Sequence, residues 1–329
     1  MTVVLVVAAP DKFRGTATAR EVAGAIARAV TAAGHSCDEV PMADGGEGTL
    51  DALGGPNRTT TVTGPQGEPV QAAWRFDRER SVIEMARASG LELAGGADGN
   101  DAVAASTIGT GELVAAAVEA GARRVVIGVG GSATTDGGLG ALRALYPLQR
   151  LKAVELIVAC DVRTRFVDAA EMFAPQKGAT PSQVRLLRGR LERLADVYRH
   201  DHGIDVTELV GSGAAGGLAG GLAAVGAILE SGFEVVADEL ELFDRMEHAD
   251  LVITGEGFID AESFDGKVVG GVARMAAELD IPVLAVAGRC FDGTDSLMDA
   301  VSLVDRFGEA RAMGEPLACI EAVIAERLA

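Results

Sequence analysis

The chain has 329 residues, 48% of them hydrophobic, enough to bury sizeable cores and to make two domains the expectation. A formal net charge of −19 argues against nucleic-acid or anionic-membrane partners, because phosphate backbones and acidic headgroups select basic surfaces. The four cysteines, Cys37, Cys160, Cys290 and Cys319, are scattered with no CxxC pair, which suits reduced, core-filling thiols of a cytoplasmic protein better than disulfides or zinc ligands.

Residues 1–9, MTVVLVVAA, lack a basic leader and run into Pro10, Asp11 and Lys12, so they predict a first buried strand and not a signal peptide. Thr18 and Glu21 then form a T-x-x-E capping box, with Val22, Ile26 and Val30 following on one helical face. Residues 54–69, GGPNRTTTVTGPQGEP, mark a composition break. The apolar runs RRVVIGVG, VELIVAC, DLVITG and PVLAVAG lack polar alternation, as strands covered on both faces do. Thr180 and Pro181 open a helix whose apolar stripe is Val184, Leu187, Leu191, Leu194 and Tyr198.

Residues 211–229, GSGAAGGLAGGLAAVGAIL, carry no charge, but glycine and alanine dominate them, which predicts a glycine-rich turn opening a buried helix and not a membrane span. A second break lies near residues 243–250, and a further helix is expected near residues 267–279. Strands alternating with helices predict an α/β protein with mainly parallel sheets. If the first and last segments share one sheet, residues 1–58 and 248–329 make a discontinuous Rossmann-like domain, residues 59–247 an inserted α/β domain, and the cleft between them the ligand site.

Polar, glycine-rich segments follow the strands, where open α/β sheets bind ligands. They are APDKFRG (9–15), DGGEGT (44–49), GGSATTDGG (130–138), ACDV (159–162), PQKGA (175–179), GSGAAGG (211–217) and TGEGFID (254–260). None ends in GK[ST] as a P-loop does, and no GxGxxG follows a strand as a dinucleotide fingerprint would. Together they supply backbone donors for phosphates at Gly45, Gly46, Gly131, Gly213 and Gly216, and hydroxyls at Ser132, Thr134 and Thr135.

Such glycine-rich loops with many acids and few cations fit phosphoryl transfer, which depends on positioning and charge neutralisation. Asp44 and Asp136 each stand before a pair of glycines and are candidates for the base or hydroxyl-orienting residue. Asp161, Glu256 and Asp260 are candidate Mg²⁺ ligands, and Lys12, Arg14, Lys177 and Lys267 would offset the charge of phosphates and carboxylates. Asp11 and Glu47 join the substrate- or phosphate-binding set, and Lys267 the catalytic one. His35, His200, His202 and His248 fall outside these loops, leaving a Ser/His/Asp apparatus without an obvious base.

The segments APDKFRGTATAREVAGAI, PMADGGEGTLDAL, GVGGSATTDGGLGALRAL, CDV…PQKGATP, GSGAAGGLAGGL and ITGEGFIDAESFDGKVVGGVA stand in the order found in bacterial glycerate kinases of the glycerate 2-kinase type, which the chain resembles over nearly its whole length. The resemblance implies a two-domain α/β kinase that transfers the γ-phosphate of ATP, with Mg²⁺, to D-glycerate, giving 2-phosphoglycerate. It also implies that DGGEGT is an active-site loop, and that the partner is a small-molecule substrate bound by a cytoplasmic enzyme, with homodimerisation allowed. Arg14 stands where the family usually has lysine and Thr135 where it usually has asparagine. The loop after CDV reads RTRFVDAAEMFA in place of an Asn-Pro-Leu segment, and the stretch before VELIVAC is short.

These departures bear mainly on acceptor choice, since Arg163 or Arg165 could catch a carboxylate and Phe166 could shape a pocket. Alternatives are a relative that phosphorylates another polyhydroxylated acceptor, such as a sugar acid, cyclitol or polyol phosphate, and a non-catalytic metabolite-binding paralogue.

Overall fold

The computed structural model describes residues 3–260, 263, 267–291 and 298–329. Ala261, Glu262, Phe264, Asp265 and Gly266 of the segment ITGEGFIDAESFDGKVVGGVA therefore lie outside the described residues. The strands are β1 (Leu5–Ala8), β2 (Ser36–Glu39), β3 (Arg58–Thr63), β4 (Pro69–Asp77), β5 (Arg80–Glu84), β6 (Arg124–Gly128), β7 (Glu155–Ala159), β8 (Ile228–Glu230), β9 (Leu251–Ile259), β10 (Val283–Cys290) and β11 (Asp299–Ser302). Contacts divide the chain into two compact units: residues 1–44, 51–53 and 233–329, and residues 45–50 and 54–232.

The first unit carries a sheet of order β11-β10-β9-β1-β2 in which every neighbouring pair is parallel. Segments from both ends of the sequence thus meet in one sheet, and successive side chains of β1 point to opposite layers. Val6 and Ala8 pack with Val22 and Ile26 of helix Ala19–Ala32 and with Ile320 and Ile324 of helix Pro316–Arg327. Val7 and Ala9 pack on the other side with Phe233, Val236, Met246, Val268 and Val272. The Thr18–Glu21 capping box is formed, and Val22, Ile26 and Val30 are buried.

The second unit carries a sheet of order β3-β4-β5-β6-β7-β8, parallel from β5 to β8 and antiparallel from β3 to β5. The composition break at residues 54–69 is therefore largely a β-hairpin: threonines favour a half-exposed pleated strand, and Gly64 and Gly67 close the turn. Thr180 caps helix Pro181–His202 together with Gln183, and Leu187, Leu191, Ala195 and Tyr198 form its buried side. In the uncharged stretch, the helical span Ala214–Ala224 is buried throughout and is interrupted near its start by left-handed residues at Ala215, Gly216 and Gly217. Among the described residues, no helix is long and apolar enough to cross a membrane.

Candidate active site

In the first unit, pairing of β1 with β9 continues past the strand end, where the Asp11 N–H donates to the Gly255 carbonyl at 2.8 Å. This fixes Asp11 and Lys12 beside β9. Asp11 is buried, and Lys12 Nζ stands 3.7 Å from both Asp11 Oδ1 and Asp44 Oδ1, one ammonium shared by two carboxylates. Burial pushes Asp11 up to about 6 against the pull of Lys12, and Asp44 adds to the rise. Burial likewise raises Glu256 to about 7; Ser263 opposes this, Asp11 adds to it, Lys267 opposes it and Asp260 adds to it.

Glu256 Oε1 is buried and has no hydrogen-bond partner among the described residues. The Asp260 carboxylate accepts the Ser263 N–H at 3.1 Å, and Lys267 is the N-cap residue of helix Val268–Glu278. Arg14 is exposed on the same unit. Carboxylates held close enough to raise one another are chemistry that a cation relieves. Among the described residues, however, no group of three or more His, Cys, Asp or Glu forms a ready metal cage.

In the second unit, the glycine-rich loop after Asp44 lies directly on strand ends. A Cβ on Gly45, whose φ is +81°, would stand 2.8 Å from Gly232 Cα and 2.9 Å from the Ala159 carbonyl oxygen; one on Gly130 would stand 2.8 Å from Gly46 Cα. Only glycines allow this approach. Glu84, at the end of β5 and 3% exposed, accepts the Gly48 and Leu50 N–H groups on Oε1, each at 2.9 Å, and Arg87 Nε on Oε2 at 3.0 Å. Glu47, at the tip of the loop, is exposed.

The GGSATTDGG segment follows β6. Gly131 is exposed with φ +70°, whereas Ser132 and Thr135 are buried, the Thr135 hydroxyl without a hydrogen-bond partner among the described residues. Asp136 accepts from the Thr107 N–H and hydroxyl and from the Gly138 and Gly140 N–H groups at 2.9–3.2 Å. That carboxylate organises the loop. A cavity of about 350 Å³ opens beside Thr135 and Asp136, walled by Leu139, Leu191 and Leu194 and by Arg190 and Arg193.

Lys177 is 3% exposed, and its Nζ donates to the Thr134 carbonyl at 2.6 Å and to Ser132 Oγ at 3.4 Å. Burial lowers it to about 7, with Asp136 opposing the fall. The GSGAAGG segment packs beneath the same loop: a Cβ on Gly216 would stand 2.0 Å from the Thr134 carbonyl oxygen, and one on Gly213 2.4 Å from that of Arg165.

Asp161 Oδ1 accepts the Gly232 N–H at 2.8 Å. Arg165 forms an ion pair with Glu208 at 3.5 Å, both side chains largely exposed. Phe166 does not border an acceptor pocket as its neighbourhood in the sequence suggests. Its ring is fully buried against Tyr198, in space left by Gly217 and Gly220, where a Cβ would fall 2.8 and 2.4 Å from it. The reason is volume: those glycines leave a hole in the core that only a large apolar side chain fills. Sequence reasoning missed Glu84, Ser106 and Thr107, whose hydrogen bonds hold the two loops. The one available signal was an acid closing the apolar run SVIE.

A family model described as the glycerate kinase family matches residues 6–146 and 147–323. Glycerate 2-kinase of Escherichia coli (strain K12) is 38% identical, the match covering 92% of this chain and 88% of that protein. Glycerate kinase of Haemophilus influenzae is 39% identical, with 89% and 88% covered. A solved structure from Salmonella typhimurium LT2, assigned as a glycerate kinase 2, aligns with a TM-score of 0.84 at 35% identity over 99% of this chain and 98% of that one.

Proposed function

Because this chain belongs to the glycerate kinase family, we propose that it transfers the γ-phosphate of ATP to D-glycerate, giving 2-phosphoglycerate. The observation that carries the chemistry is the pair of Asp11 and Asp44 around Lys12, with half-buried Glu256 under the influence of Asp11 and Lys267 and both Asp11 and Glu256 shifted upward. Asp44 is the proposed base or hydroxyl-orienting residue. Asp136 is the weaker candidate, since five protein donor groups already claim its oxygens. Lys12 and Lys267 offset charge on the transferring group.

Mg²⁺, when bound, would neutralise phosphate charge and orient the donor. Glu256, with its buried unpartnered oxygen, and Asp11 beside it fit that ion best. Mg²⁺ commonly takes one or two protein carboxylates and completes its shell with phosphate oxygens and water, so no three-acid cage is needed. Asp260, whose charge also acts on Glu256, belongs to the same surroundings. Asp161 holds Gly232 through Oδ1 and stays a candidate ligand through its buried Oδ2. The backbone N–H groups of the loops at residues 45–48 and 131–135 serve as anion donors. The strongly negative net charge supports action on a small molecule in the cytoplasm, with neither nucleic acid nor membrane as partner.

An ATP-consumption assay with Mg²⁺ and a panel of D-glycerate, glycerol, sugar acids and cyclitols tests the reading, with the product identified by phosphorus NMR. Brisk formation of 2-phosphoglycerate is expected. Turnover of a cyclitol or sugar acid with none of glycerate would overturn the acceptor; ATP binding without turnover of any acceptor would overturn the enzyme.

A further inference from the structure

The loop of residues 45–48 bears exposed Glu47 at its tip and includes positive-φ glycines, a combination that alone would leave it mobile. What holds it is a side chain from another element. Glu84 ends β5, is 3% exposed, and sends one carboxylate oxygen to two backbone N–H groups, those of Gly48 and Leu50, at 2.9 Å each. These groups lie at the start of helix Thr49–Ala52, where the Thr49 N–H and hydroxyl both donate to the Gly46 carbonyl, at 3.3 and 2.8 Å. The other Glu84 oxygen accepts Arg87 Nε at 3.0 Å, and Arg87 is half-exposed.

A buried carboxylate with this geometry is costly unless its lone pairs are filled, and here backbone donors fill one oxygen while a guanidinium serves the other. The arrangement also works in reverse. Without Glu84, the N–H groups of Gly48 and Leu50 lose their acceptor, and the loop loses this attachment to β5.

We propose that Glu84 is a positioning residue for phosphoryl transfer: it locks the residue 45–50 loop to the end of β5 and so sets where the loop's backbone donors and Glu47 stand. The role rests on the kinase reading above. Glu84 acts through the loop and touches neither substrate. Misplacement of a loop by about 1 Å costs on the order of 10²-fold in rate when that loop orients reacting groups.

The test compares Glu84→Ala and Glu84→Gln in the full chain by amide hydrogen exchange, kcat and KM for both substrates, and thermal unfolding. Gln keeps a carbonyl oxygen able to accept both N–H groups and removes the charge. Expected for E84A are exchange at Gly48 and Leu50 faster by about tenfold or more, unchanged protection in the sheet strands, and kcat/KM lowered by about 10- to 100-fold. Expected for E84Q is recovery of most of the protection and of the activity together. Full activity in folded E84A, or protection in E84A equal to wild type, overturns the role, as does E84Q that keeps the protection yet loses activity as E84A does. If E84A fails to fold, E84Q alone decides by whether activity follows protection. A wild-type enzyme that phosphorylates no acceptor sinks the kinase reading, whereas unaltered loop exchange sinks only the role of Glu84.

Discussion

Lys177 Nζ donates to the carbonyl oxygen of Thr134 at 2.6 Å, from a position that leaves the lysine 3% exposed. The 3₁₀ turn Pro175–Lys177 thereby clamps the GGSATTDGG loop from below with a cationic side chain that water does not reach. Burial lowers this group to about 7 from an ordinary value of 10.5, so the unfolded chain binds more protons than the folded one between those limits. Its contribution therefore makes folding more favourable as pH rises through that window, by at most about 1.4 kcal/mol per pH unit. Urea unfolding between pH 8 and 9, above the values of about 7 for Glu256 and about 6 for Asp11, should show this rise in wild type. Lys177→Met should flatten it.

Asp44 and Asp136, alike in the sequence, should part in their mutants. Asp44→Asn is expected to lower kcat by about 10²-fold or more with the fold intact, as for a positioned acid–base residue. Steady-state kinetics beside circular dichroism checks this, and near-normal turnover in folded protein would remove Asp44 from the chemistry.

Asp136→Asn should act first on stability. The asparagine amide brings a second donor toward the Thr107, Gly138 and Gly140 N–H groups, leaving buried donors unmatched at a cost of roughly 1–3 kcal/mol. Denaturant titration reads that loss directly. A mutant with wild-type stability but no turnover would return Asp136 to the catalytic set.

Divalent metal is expected to be required. Chelation should abolish turnover and added Mg²⁺ restore it, and Glu256→Gln should raise the Mg²⁺ concentration for half-maximal rate by about tenfold or more, within the range known for loss of a charged partner. An unchanged Mg²⁺ dependence in E256Q would take Glu256 out of the metal site.

Gly216→Ala should destabilise the second unit, since its Cβ would fall 2.0 Å from the Thr134 carbonyl oxygen at a φ of +67°. Strain of this kind costs about 1–3 kcal/mol, and the thermal midpoint should drop accordingly. Gly15→Ala, at a positive φ with open space around it, separates backbone strain from loss of the loop-to-loop contact.

The parallel strands, the Thr18–Glu21 capping box, the helix start at Thr180 and Pro181 and the glycine-rich loops were legible because each is a local pattern. Uninterrupted apolar runs need cover on both faces, T-x-x-E closes its own hydrogen bonds within one turn, and glycine clusters announce tight backbone. The hairpin of β3 and β4 was obscured because its threonines and turn glycines have loop-like composition, and the pairing of the two strands across the turn decides their state.

The roles of individual polar groups depended on tertiary structure. Lys177 is a solvated cation or a buried clamp according to what packs over it, and that cover comes from a loop some forty residues earlier. Asp136 reads as a base until Ser106 and Thr107, from a different turn, are seen to meet it. Glu84 reads as the last residue of a strand until the chain folds back to set Gly48 and Leu50 on its carboxylate. Periodicity and capping are short-range and written in neighbouring residues; desolvation and hydrogen-bond satisfaction belong to groups far apart in the chain, and only their meeting in space decides whether an acid holds a loop or a proton.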